Sequence, residues 1–377
     1  MSVLLYTALD IFSADCLFAI ASSGAAAVSS LYASPRRGLT WKPISVAAVY
    51  LFNPYTLLTC LGRPTNVFTV FFTLLAIRQA VDAKATSAAF ALAMASYTSL
   101  HPVLLLPPIG MLCHDQLRKQ AGFTTPQTSE GKAATVDERN APNPWTTSTH
   151  LLISFLTTLV ILLSLSRLLL ASWSFLPSVY LTPLSLPDLT PNPGLWWYFF
   201  TEMFDAFRNF FLGVFWLHML SYSVPFCVRL RKQPLVAVVA MMGITAIFQP
   251  YANVGEVGAW LSAVALLSHT FESRSPTYSP HPAIFLTDTS TVSSAHRYTF
   301  PALAALLYSS LLGPAFHHLW LYAGSGNANF FYAITLVWNL ALLIIETDTV
   351  YACLRDEWEV ERGWVKGEGK GKEVRQI

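Results

Sequence analysis

The chain has 377 residues, 54% of them hydrophobic and 12% charged, with a net charge of +2 and a mean hydropathy of +0.47. Its charged fraction is about half that of an ordinary soluble globular domain, which excludes that class and marks a polytopic membrane protein. Neither the small net charge nor any basic run interleaved with aromatics supports a nucleic-acid partner.

The N-terminal segment MSVLLYTALDIFSADCLFAIASSGAAAVSSLYASPRRG has no basic leader and carries its arginines after the apolar run. This predicts a retained anchor with a cytosolic C-terminal end. Apolar runs of membrane-crossing character follow at 10–31, 43–60, 65–81, 85–99, 101–113, 149–173, 195–228, 234–250, 254–271, 300–320 and 330–354. They predict an all-α polytopic membrane protein with about eleven transmembrane or half-membrane helices in one membrane domain over 1–377. The pair 85–99 and 101–113 is split at His101-Pro102, so it reads either as one kinked helix or as a hairpin of two.

Basic residues set the orientation. Arg36, Arg37 and Lys42, then Arg78 and Lys84, then Arg229, Arg231 and Lys232 occupy three short loops, which the positive-inside rule places in the cytosol. The opposite, lumenal side then receives residues 177–194, Gln249 to Asn253 and the AGSGNAN turn. Two polar stretches, 115–148 and 273–298, cannot bury enough apolar surface to order themselves and are expected as cytosolic loops. The charged, Gly-rich segment 355–377 is expected as a cytosolic tail.

Candidate chemistry is sparse. The five cysteines stand singly, without a CxxC, as buried small apolar residues do. His317 and His318 are adjacent, so on a helix they point about 100° apart and make a poor metal pair. His101 and His218 are isolated, in the manner of hydrogen-bonded core histidines. No GxxxxGK[ST], HExxH or GxSxG occurs, and Asp188 is the sole charge in the loop 177–194. No catalytic residue, metal site or cofactor is indicated.

Three places carry polar groups against apolar surroundings. Glu202, Asp205 and Arg208 fall at successive i+3 positions in an aromatic run, which puts them on one helical stripe. That stripe could touch a lipid headgroup or a partner subunit, or Arg208 could simply pair with Asp205. Asn339 lies within the last span as an interhelical hydrogen bond or a substrate contact, with Glu346 and Asp348 nearer the cytosolic boundary. The stretch FHHLWLYAGSGNANFFYAITL (316–336) wedges a neutral, amide-rich turn between aromatic runs and reads as a polar mouth at a membrane interface.

The strings NPYTLL (53–58), SWSFLPSVYLTPLSLPDLTPNPGLWWYFFTEMFDAF (172–207), PYANVGEV (250–257) and HLWLYAGSGNANFFYAIT (318–335) closely resemble the phosphatidylinositol-glycan class U (PIG-U) family, a subunit of the GPI transamidase. The match is ordered and spread over most of the chain. The resemblance implies a GT-C-like arrangement of helices and residence in the endoplasmic-reticulum membrane. It also implies a non-catalytic role beside other transamidase subunits, one of which carries the cysteine protease nucleophile. The implied ligand is the GPI lipid, with Asn327 and Asn329 as headgroup contacts and Tyr322, Phe330 and Phe331 as pocket wall. On the bland alternative, the Gly and Asn residues only make the turn. Members of the family usually begin with a further helix and lumenal segment, so Met1 is expected to mark a shortened N-terminus.

Two other functions compete. A GT-C-type mannosyltransferase using a dolichol-linked donor requires a first lumenal loop with an acidic catalytic residue, which would have to lie upstream of Met1. A transporter would use Asn339 and the broken helices as a midplane site.

Overall fold

A computed structural model describes residues 2–123, 141–271 and 298–362. Among them the fold is all-helical, with no β-structure beyond a single bridge between Val28 and Ala33. Helix α1 (Ser2–Ser22) is followed by α2 (Pro43–Leu51) and α3 (Pro54–Gly62), one apolar path bent by 50°. The bend has a local cause. Proline opens each of the two helices, where its missing N–H costs nothing, and Asn53 starts α3 by accepting from the Tyr55 N–H at 3.0 Å.

Helices α4 (Asn66–Val81) and α5 (Ala85–Thr98) pack side by side. The alanine-rich α5 has side chains small enough to lie closely between α4 and α7 (Pro144–Leu170). A 3-10 turn (His101–Leu105) leads from α5 into α6 (Leu106–Gln120). Gln120 Nε2 donates to the Asp82 carbonyl at 3.3 Å, which brings the end of α6 back beside the start of α5. The stretch 85–113 is therefore a hairpin and not one kinked helix. Residues Asp115 to Gln120, expected in a polar loop, continue α6, and Pro144 to Ser148 already belong to α7. Residues 124–140 of that stretch and 273–297 of the other lie outside the described residues.

The aromatic run 195–228 departs from expectation. After a π-helical turn (Pro177–Leu181) and α8 (Thr182–Ser185), it forms two helices, α9 (Trp196–Glu202) and α10 (Asp205–Arg229). Met203 and Phe204 between them are extended, with ψ of 141° and 135°. Glu202 ends one helix and Asp205 opens the next, so the i+3 stripe of Glu202, Asp205 and Arg208 does not exist. Arg208 reaches back to the Leu186 carbonyl and lies over the Phe200 ring at 5.6 Å.

Helix α11 (Pro234–Phe248) forms the centre, buried continuously from Pro234 to Ile247 and touching α6, α10, α12 (Val254–Val264) and α14 (Ala328–Glu361). Helices α13 (Thr299–Leu321) and α14 pair along their lengths. In α7, α10 and α13 only 17% of the most apolar window is buried, so these helices present apolar flanks outward, as lipid-facing helices do. Helices α1, α7, α10, α13 and α14 are long and apolar enough to cross a membrane, five in all among the described residues, or six with the bent α2–α3 pair. That is fewer than the expected count of about eleven, because elements such as α4 and α11, with 16 and 15 residues, are too short to pass the same test.

One end of the bundle is bound together by charge. Arg36 pairs with Asp356 and Glu359, Tyr32 donates to Asp356, and Lys232 pairs with Glu361. Asp115 accepts from the amide and hydroxyl of Ser30 at 2.8 and 2.7 Å. Burial shifts the Tyr32 hydroxyl well above its usual pKa, with the Asp356 carboxylate adding to the shift. Residues 355–361, expected at the start of a loose tail, are the last turns of α14 and the clamp on the loop after α1. Residues 363–377 lie outside the described residues.

Candidate functional site

The turn between α13 and α14 is built by its glycines and one asparagine. Gly324 and Gly326 take φ of 63° and 118°, which side chains disfavour, and Asn327 then caps α14. Its Oδ1 accepts from the Asn329 and Phe330 amides at 3.0 and 3.3 Å. Asn329 offers Oδ1 to the hydroxyl of Tyr198, whose ring stacks on Tyr332 with centroids 4.4 Å apart. Trp197, Trp320 and Phe331 form a three-ring cluster with centroids 5.9 to 6.3 Å apart. The short aromatic helix α9 is thus laid against the α13–α14 turn.

Under this turn lies a cavity of about 330 Å³. The four sequence strings, remote from one another along the chain, converge on it. Tyr55 and Leu58 come from the first, Pro191 to Pro193 from the second, Val254 from the third, and Phe331 and Thr335 from the fourth. Ser309, Gly313 and His317 of α13 close the remaining side. Trp338 Nε1 donates to the Tyr55 hydroxyl at 3.0 Å, and that hydroxyl lies 2.6 Å from Ser310 Oγ.

The loop 186–195 is held in place by short-range bonds. Thr190 donates its amide and hydroxyl to Asp188 Oδ1, and these bonds hold the Asp188 carboxyl below its usual range. Asn192 Oδ1 accepts from the Gly194 amide at 2.8 Å. A Cβ at Gly194 would meet the Ala252 side chain at 3.1 Å, so glycine lets this loop approach the α11–α12 link. Asn339 Nδ2 donates to the Pro193 carbonyl at 2.8 Å and ties α14 to the loop. Further along α14, Asp348 accepts from the Tyr298 amide and Thr299 hydroxyl at the start of α13, at 2.8 and 3.0 Å.

The residues expected at the site separate into three groups. Phe331 is buried and lines the cavity. Asn327 and Asn329 are exposed in the turn, one as a helix cap and the other as the acceptor for Tyr198, and neither lines the cavity. Tyr322 and Phe330 are 75% and 54% exposed, with Phe330 stacked on Phe316 at 6.0 Å, and neither lines the cavity. Glu202 lines a separate aromatic hollow with Tyr198, Phe199 and Phe207. Asn192, Tyr55 and Trp338 of the cavity wall were not singled out from the sequence. Their signal was their place inside or beside the four strings.

Chemically, the cavity combines aromatic and aliphatic walls with hydroxyls and amides, and no acidic or Lys/Arg side chain lines it. No group of three or more metal-ligating side chains occurs among the described residues. Such a lining suits the uncharged portion of an amphipathic ligand.

The fold and site define a helical membrane protein with a ligand-sized cavity at one end of its bundle. The chain belongs to the PIG-U family: the family model described as GPI transamidase subunit PIG-U matches residues 1–338. It is 35% identical over 340 residues to the human GPI-anchor transamidase component PIGU, covering 89% of this chain and 68% of that protein. The Cricetulus griseus protein of the same name is 36% identical with the same coverage. The Saccharomyces cerevisiae GPI transamidase component GAB1 is 32% identical over 326 residues, covering 85% of this chain and 68% of that protein.

Proposed function

We propose that this chain is a non-catalytic subunit of a GPI transamidase in the endoplasmic-reticulum membrane, where it holds the GPI lipid for transfer to the C-terminus of a proprotein. The observation that carries the reading is the convergence of the four family-like strings on one uncharged cavity of about 330 Å³. A lipid-presenting subunit needs a neutral, partly aromatic recess that opens towards the bilayer, with polar groups at its rim. Asn327 and Asn329 in the exposed turn are the headgroup contacts in this proposal, and Phe331 is part of the cavity wall. The cysteine nucleophile belongs to a partner subunit.

The same proposal includes about eleven membrane-crossing or half-crossing elements in a GT-C-like arrangement. The Arg36–Asp356 end faces the cytosol, in keeping with the loop arginines and lysines. The relatives named above are transamidase components, which favours this reading over a mannosyltransferase.

The test is affinity purification of the tagged chain from detergent, with mass spectrometry of co-purifying proteins and lipids. Recovery of a cysteine-protease subunit with GPI lipid is the expected result. In parallel, Gly313→Phe places a ring in the cavity and should leave the complex assembled while GPI recovery and attachment fall. A chain purified alone that transfers mannose from a dolichol donor would overturn the proposal.

A further inference from the structure

A hollow of about 460 Å³ opens where α9 gives way to α10, and it shares no lining residue with the cavity under the α13–α14 turn. Six of its eight wall residues are aromatic: Tyr198, Phe199, Phe204, Phe207, Phe211 and Tyr332. Helical spacing accounts for part of this wall. Tyr198 and Glu202 stand one turn apart on α9, as Phe207 and Phe211 do on α10, so each pair shares a face. Tyr332 comes from the first turns of α14. Phe204 and Phe207 are 79% and 55% exposed, which leaves ring faces open to a ligand.

One wall residue is charged. Glu202 is exposed at the end of α9 and pairs with no cation among the described residues. Arg208, which the sequence would set near it, is engaged elsewhere, with the Leu186 carbonyl and the Phe200 ring. No Lys, Arg or His lines the hollow. Aromatic faces carry the negative end of the ring quadrupole, so rings gathered around a lone carboxylate make a site for an organic cation.

Hydrogen bonding narrows the kind of cation. A primary ammonium brings three N–H donors, each of which needs an acceptor. The two tyrosine hydroxyls of the wall are already engaged, with Asn329 and the Leu195 carbonyl. A quaternary ammonium donates no hydrogen bond and needs only ring faces and a counter-charge. The position of the hollow narrows its source. Helices α10 and α14 are long and apolar enough to cross a membrane, and the hollow lies at the first turns of both, which is the level of lipid headgroups and aromatic belts.

We propose that this hollow binds the choline headgroup of a membrane phospholipid, with its trimethylammonium group against the aromatic faces and Glu202 as counter-charge. The inference does not rest on the transamidase reading, and its failure would leave that reading standing.

The test is native mass spectrometry of the full chain, released from micelles after equilibration with an equimolar mixture of phosphatidylcholine and phosphatidylethanolamine carrying identical acyl chains. Only methylation of the ammonium then distinguishes the two lipids. Preferential retention of phosphatidylcholine is expected, with the preference lowered about two- to fivefold in Phe207→Leu and in Glu202→Gln. Both side chains are exposed, so these variants should fold as wild type does. Phe300→Leu, at an exposed position at the far end of α13, should leave the preference unchanged. Equal retention of the two lipids, a preference for phosphatidylethanolamine, or a preference undiminished in Phe207→Leu or in Glu202→Gln would overturn the proposal. Loss of a co-purifying partner subunit in Glu202→Gln, without any lipid preference in wild type, would also overturn it and assign the carboxylate to a basic side chain of that partner.

Discussion

Trp338 and Tyr55 are 283 residues apart and share a hydrogen bond, the indole N–H donating to the phenol oxygen at 3.0 Å. Their rings meet edge-on with centroids 6.4 Å apart. Because the same phenol lies 2.6 Å from Ser310 Oγ, one atom joins α3, α13 and α14 around the cavity.

Tyr55→Phe removes that atom and leaves the buried Trp338 N–H without a partner. The expected loss is about 1–3 kcal/mol, with little change in cavity shape. Thermal unfolding of the purified protein should show a lowered midpoint, and Ser310→Ala should show a smaller decrease because the indole bond survives.

Two glycines should respond oppositely to alanine. A Cβ at Gly313 meets nothing nearer than Ile334 Cγ2 at 3.9 Å, so Gly313→Ala should stabilise α13 by about 0.5–1 kcal/mol. At Gly243 the added Cβ would lie 2.6 Å from Trp260 Nε1 inside the core, and overpacking there should cost about 1–3 kcal/mol. Melting temperatures of the two variants, compared with wild type, check both signs.

Asn327 can be tested as a cap separately from any ligand role. Asn327→Asp keeps a capping oxygen and should preserve stability, whereas Asn327→Ala should lose about 1 kcal/mol. If the amide also meets the lipid, Asn327→Asp will reduce GPI attachment in cells without lowering the melting temperature. Equal attachment in Asn327→Asp and wild type would confine this residue to the turn.

Arg36 is 19% exposed in its side chain, against 1% for Asp356 and 10% for Glu359. Arg36→Ala leaves two largely buried carboxylates without that partner. The expected cost is about 2–3 kcal/mol, between the values for surface and fully buried pairs. Limited proteolysis should then cut within residues 23–42 faster than in wild type, and Arg36→Lys should restore part of the protection.

Much of this architecture was legible in the sequence because its signals are local. The glycines and asparagine of AGSGNAN marked a turn whose conformations and cap follow from those residue types, whereas the bend at Asn53-Pro54 divides a run, 43–60, that was expected whole. The break at Met203-Phe204 was not legible, because the aromatic pattern continues through it and neither glycine nor proline punctuates it. The fate of Arg208 was hidden for the same reason, since its partner Leu186 O lies in a preceding loop. The contact of His101 with Glu256 was the least visible. His101 looked like an isolated core histidine, and only the fold brings Glu256 beside it from a distant part of the chain.

Helix α11 has 15 residues and so spans only about 22 Å, short of the roughly 30 Å of a bilayer's hydrocarbon core. It is apolar on every face, yet its continuous burial leaves none of those faces to lipid. Too short to span alone and covered on all sides, α11 depends on its neighbours α10 and α12 for its place in the bundle. A chain ending after Phe248 would lack α12 and α14, two of the helices that cover α11, and should be degraded faster than the full chain.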